Sequence, residues 1–87
     1  MRFEDIYTNK LKRYSLGNDV ESDKRYLSFP VSNQYVDYEE YYELSENLFI
    51  NFPETEALVE VFLDECRNHK HDNLLLQKPG RLRGNAS

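Results

Sequence analysis

Residues 26–66 contain no lysine, arginine or histidine. The same interval holds Asp37, Glu39, Glu40, Glu43, Glu46, Glu54, Glu56, Glu60, Asp64 and Glu65, ten negative charges without one internal counter-charge. A run of one sign costs stability through self-repulsion, and it is compatible with either a solvated face or a cationic partner. With a net charge of −5 and a pI near 4.9, the chain reads as no nucleic-acid binder, because a phosphate backbone would be repelled.

Cysteine is almost missing. The one present, Cys66, excludes an internal disulfide and fits a reducing compartment. The three glycines, Gly17, Gly80 and Gly84, are too scattered for a phosphate-cradling loop. No apolar run approaches the ~18 residues that span a bilayer, and residues 1–10 lack the hydrophobic centre of a signal peptide. These absences predict a cytoplasmic protein with no membrane contact and no cofactor.

What is present is aromatic. Seven tyrosines and five phenylalanines make up 14% of the 87 residues, enough apolar surface for a single small domain to fold. Charge divides the chain further. Residues 1–77 carry 8 basic and 16 acidic groups, net −8, whereas Lys78, Arg81 and Arg83 give residues 78–87 a charge of +3. The expected organisation is one domain over 1–77 followed by a basic, flexible tail over 78–87.

Periodicity fixes the expected elements. Residues 10–16 read as a first strand with imperfect alternation, and Gly17-Asn18-Asp19 as the turn after it. Residues 25–31 alternate better, with Leu27, Phe29 and Val31 on one face and Tyr26, Ser28 and Pro30 on the other. Pro30 predicts an edge position or the end of pairing. In residues 36–44, Val36, Tyr38, Tyr42 and Leu44 share one side, and Asp37, Glu39, Tyr41 and Glu43 the other. Glu40 breaks the pattern by falling on the apolar side, and the tyrosines favour strand over helix.

Ser45 reads as the N-cap of a short helix over 46–51. Asn51, Pro53 and Glu54 then signal a main helix over 53–70, with Leu58, Val61, Phe62, Glu65 and Cys66 at helical spacing. Leu74-Leu75-Leu76 is a final strand or an apolar strap. The class is α+β: an antiparallel sheet of about three strands against one C-terminal helix. Leu27, Phe29, Val31, Val36, Tyr38, Tyr42, Leu58, Val61, Phe62 and Cys66 are the expected core.

Three constellations could carry function. The first is the acidic, tyrosine-rich face: carboxylates along a strand and a helix can mimic a phosphate backbone, and tyrosines add rigid contact area. On this reading Asp37, Glu39, Tyr41 and Glu43, with Glu56 and Glu60 from the helix, bind a basic protein. The plain alternative is a solvated face with Tyr38 and Tyr42 in the core. The second is Cys66, His69, His71 and Asp72, whose spacing suits the start of a zinc site. It lacks a second cysteine pair, and Cys66 falls on the apolar side of the helix, so no metal is expected. The third is catalysis by Cys66 with His69, which lacks an evident oxyanion hole, so no enzyme is expected.

The blocks Tyr-Leu-Ser-Phe-Pro-Val-Ser-Asn, Val-Asp-Tyr-Glu-Glu-Tyr-Tyr-Glu and Pro-Gly-Arg-x-Arg-Gly, within residues 26–43 and 74–84, resemble a family of small uncharacterised bacterial cytoplasmic proteins. Some small acidic proteins of this general kind are immunity proteins that block a toxic nuclease encoded beside them. The family supplies no activity to carry over; acidity, small size and analogy with such proteins together lead to the expectation of a non-catalytic module whose partner is a basic toxin. A homodimer that hides its tyrosines against a symmetry mate is the competing expectation.

Overall fold

The structure, a computed structural model, describes residues 2–32, 35, 37–77 and 85–86. Strands β1 (Phe3–Asn9), β2 (Tyr14–Asp19), β3 (Lys24–Ser32) and β4 (Asp37–Glu43) precede helices α1 (Glu46–Ile50) and α2 (Glu56–Arg67). A 3-10 turn (Asp72–Leu74) and a two-residue strand β5 (Asn85–Ala86) follow. The strands form an antiparallel meander in the order β1-β2-β3-β4, with β5 paired to β3 at Val31 and Ser32. The class is the α+β one read from the sequence, with four main strands rather than three. β3 is central rather than at an edge, but its pairing with β2 ends at Ser28, before Pro30.

The extra strand comes from residues 3–9, and it displaces the first expected turn. Two hairpin loops share one construction. Asn9 and Asp19 each accept a backbone bond at 2.8 Å, from Arg13 N–H and Asp23 N–H, and each caps its loop with its side chain. Arg13 and Asp23 close the loops at φ 61° and 60°. An Asx side chain stands in for a backbone turn at the start of each loop. Residues 10–13 are therefore a loop and not a strand, while Gly17-Asn18-Asp19, expected as a turn, lies inside β2 and pairs on both sides.

Side-chain alternation then builds two layers. Tyr14, Leu16, Leu27, Phe29, Val31, Tyr42 and Leu44 pack against Val59, Leu63 and Cys66 of α2. Tyr38 and Phe62 are half-buried against this core, and Val36 lies outside the described residues. Leu58 and Val61, expected inside, are 60% and 55% exposed. The correction is one of helix rotation. Positions 59, 62, 63 and 66 form a wholly apolar strip, whereas a strip through 58, 61 and 65 includes Glu65, whose burial would cost far more than that of a leucine.

Both helices are shorter than the periodicity suggests. Ser45 precedes α1 but its side chain makes no capping bond. α2 begins at Glu56 because the Thr55 hydroxyl is held by the Leu48 carbonyl at 2.7 Å, tying the helix start to α1. α2 ends at Arg67 in a Schellman closure. Lys70 N–H donates to the Glu65 carbonyl and His69 N–H to the Cys66 carbonyl, both at 3.0 Å. His69 takes the left-handed position at φ 60°, where glycine is the usual residue. His69→Gly is therefore expected to stabilise the domain by about 0.5–1 kcal/mol, read as a raised urea midpoint at unchanged slope. After the 3-10 turn, Leu75 makes a single bridge with Tyr42, and Leu76 N–H donates to the Tyr41 carbonyl at 2.8 Å. The leucine run is thus a strap along the outer edge of β4.

Candidate functional site

The sheet face opposite α2 carries its own aromatic cluster. Phe3 and Tyr41 stack at 3.7 Å between ring centres, and Tyr26 meets both edge-on at 5.5 and 5.0 Å. Tyr26 is fully buried, and its hydroxyl donates to Asp5. The ring end lies over Gly17, where a side chain would collide with the Tyr26 hydroxyl at 2.5 Å and with the Glu4 carbonyl oxygen. Glycine is required here for close approach, not for turning.

β4 places Asp37, Glu39, Tyr41 and Glu43 on this face, opposite Ser32, Pro30, Ser28 and Tyr26. Asp37 accepts from the Ser32 hydroxyl at 2.7 Å and Glu39 from the Ser28 hydroxyl at 3.0 Å. Glu43 meets Lys24 at 3.3 Å. Tyr41 is half-buried; burial first, then the Glu39 and Asp5 carboxylates, push its phenol up to about 12. Burial, then the bond to Asp5, raises Tyr26 further still. Neither phenol ionises near neutral pH.

Glu56 and Glu60 stand elsewhere, on the helix that covers the other side of the sheet. The six predicted contact residues are split between two faces and do not form one patch. Glu60 meets Lys12 at 3.4 Å, and Glu46 meets Arg25 at 3.9 Å. Cations from the first two hairpins thus neutralise part of the acidic run, which makes the patch smaller than the sequence implies. Glu40 sits on the core side, 5% exposed, and accepts from the Tyr42 hydroxyl at 2.9 Å. Glu54, Glu56 and Asp64 are exposed, and no cation pairs with them among the described residues. Lys78, Arg81 and Arg83 lie outside the described residues.

The remaining constellations are taken up by structure. Cys66 is buried, and burial, then Glu65, Asp72 and Glu40, push its thiol up to about 12, which keeps it protonated and unreactive at neutral pH. His71 bonds Glu65 at 2.8 Å and packs on Phe62, while His69 closes the helix. No cluster of metal-ligating side chains occurs among the described residues. A cleft of about 260 Å³ opens beside the first hairpin loop, lined by Thr8, Lys10, Arg13, Ser15, Ser28 and Glu39 among others. Its serine and threonine hydroxyls are already paired, Thr8 with Ser15 and Ser28 with Glu39.

Sequence reasoning missed Asp19. It is fully buried, accepts from Nε and Nη2 of the Arg2 guanidinium, each at 3.0 Å, and accepts from the Ser22 hydroxyl at 2.7 Å. Arg2 also donates to the Leu76 carbonyl at 3.3 Å, so one ion pair joins the chain start, the second hairpin and the strap. An aspartate followed by Val-Glu-Ser-Asp was the available signal. No protein-family model, curated protein or solved structure matches this chain. Among the described residues no helix is long and apolar enough to cross a membrane.

Proposed function

We propose that this chain is a non-catalytic, acidic protein-binding module, of the kind that inhibits a basic toxin such as a nuclease. The observation that supports the reading most is the exposure of Glu54, Glu56 and Asp64 without a paired cation among the described residues. Carboxylates already held by Lys12, Lys24 and Arg25 have less to offer a partner. Free ones attract a cationic surface, speed encounter and make binding salt-sensitive. The Tyr14, Tyr26 and Tyr41 phenols and the Cys66 thiol, all raised by burial, offer no activated nucleophile or base.

Homo-oligomerisation to hide tyrosines has a weaker basis, since Tyr14, Tyr26 and Tyr42 are buried and Tyr7, Tyr38 and Tyr41 half-buried within one chain. The test is affinity chromatography of a bacterial extract on the immobilised protein, eluted with a salt gradient. The expected result is retention of a basic protein whose release tracks salt. An association whose strength is the same at low and high salt would overturn the proposal.

A further inference from the structure

The helix rotation leaves an unpartnered stripe. Ala57, Leu58 and Val61 are exposed on one arc of α2, while Val59, Leu63 and Cys66 fill the core from the other. Single exposed leucines are ordinary, but Val61 lies one turn from both Ala57 and Leu58, which gives the helix a second apolar surface. Asp64 and Glu60 border the arc on one side, Glu65 lies between Val61 and Leu58 and is bonded to His71 at 2.8 Å, and Glu54 and Glu56 stand around the helix start. The only cation of α2, Arg67, is turned away, donating to the Lys12 and Arg13 carbonyls at 2.8 and 3.3 Å.

Charge selects the occupant. A second copy docked symmetrically would bring Glu60 and Asp64 against their own counterparts. Anionic lipid and nucleic acid are repelled by the same rim. A cationic segment satisfies the rim, and apolar residues spaced three and four apart match a helical stripe. We infer that α2 docks a cationic amphipathic helix of a partner protein, its apolar side on Ala57, Leu58 and Val61 and its basic flanks against Asp64 and Glu56. This rests on the reading of the chain as an acidic binding module and assigns that activity to α2 rather than β4.

The test uses a labelled 18-residue leucine–lysine peptide with amphipathic helical spacing and a scrambled peptide of identical composition. Binding is followed by fluorescence anisotropy and by amide shifts of the full-length protein. The amphipathic peptide should bind at least about tenfold tighter than the scrambled one, a difference of about 1.4 kcal/mol, and shift α2 amides. Leu58→Ser and Val61→Ser, both at exposed positions, should each weaken it severalfold without altering circular dichroism. Equal binding of the two peptides, or shifts centred on β4, would overturn the assignment to α2 and leave the acidic-module reading standing. No binding of either peptide at low salt would overturn both.

Discussion

Gly17→Ala is expected to leave the domain largely unfolded or very close to it. The new methyl group would strike the Glu4 carbonyl oxygen of β1 and approach the Tyr26 hydroxyl to 2.5 Å and its ring carbon to 2.7 Å. Flexible side chains can yield, but a carbonyl within a paired strand cannot move without breaking the ladder that joins Glu4 to Asn18 and Asp5 to Gly17. Overpacking of an ordinary core costs about 1–3 kcal/mol, and a backbone collision in a central strand belongs above that range. A domain of this size has a total stability on the order of 5–10 kcal/mol. Urea unfolding measures the loss. Adding Tyr26→Phe removes the hydroxyl contact but not the carbonyl one, so the double variant should recover only a small part. A single variant within about 0.5 kcal/mol of the parent would show that Gly17 is no close-approach site.

Asp19→Ala should cost on the order of 3 kcal/mol, the low end for breaking a buried ion pair, because Arg2 can turn toward water. The melting temperature should fall by roughly 10–20 °C. The cause is the loss of one anchor with several attachments: Arg2, the Ser22 hydroxyl and the backbone N–H groups of Glu21 and Ser22. Arg2 first, then the Ser22 hydroxyl and those N–H groups, hold the Asp19 carboxyl well below the usual range against the opposing effect of burial. Since the folded value is the lower one, this stabilisation is fully present above the unfolded carboxyl pKa of about 3.9. It is lost as pH falls from there toward the folded value. The parent protein should therefore weaken below about pH 4, and Asp19→Asn should show a shallower decline. Parallel pH profiles of the two proteins would remove Asp19 from the account.

The residues that misled the sequence reading did so for physical reasons. Leu27, Phe29 and Val31 alternate cleanly because β3 is central and packs one face on α2, so that strand was legible. Gly17 and Asp19 carry turn-like composition but do different work, close approach and buried anchoring, which no local propensity encodes. The two strips of α2, one through 59, 62, 63 and 66 and the other through 58, 61 and 65, lie side by side, and Glu65 is the residue that distinguishes surface from core. The acidic run was plain to see. Its partial neutralisation by Lys12, Lys24 and Arg25 was not, because those pairs form across the fold rather than along the chain.

The central claim is that a basic partner engages the exposed carboxylates of α2 and of the turn before it rather than those of β4, where Asp37 and Glu39 accept from Ser32 and Ser28 and Glu43 meets Lys24. It is tested most directly by comparing two variants against the same salt-eluted partner. One, the α2 variant, neutralises α2 and the turn before it (Glu54→Gln, Glu56→Gln, Asp64→Asn), and the other neutralises β4 (Asp37→Asn, Glu39→Gln, Glu43→Gln). The α2 variant should lose at least about tenfold in affinity and flatten its dependence on salt, while the β4 variant stays within about threefold of the parent. Full affinity in the α2 variant with loss in the β4 variant, or no loss in either, would contradict the claim.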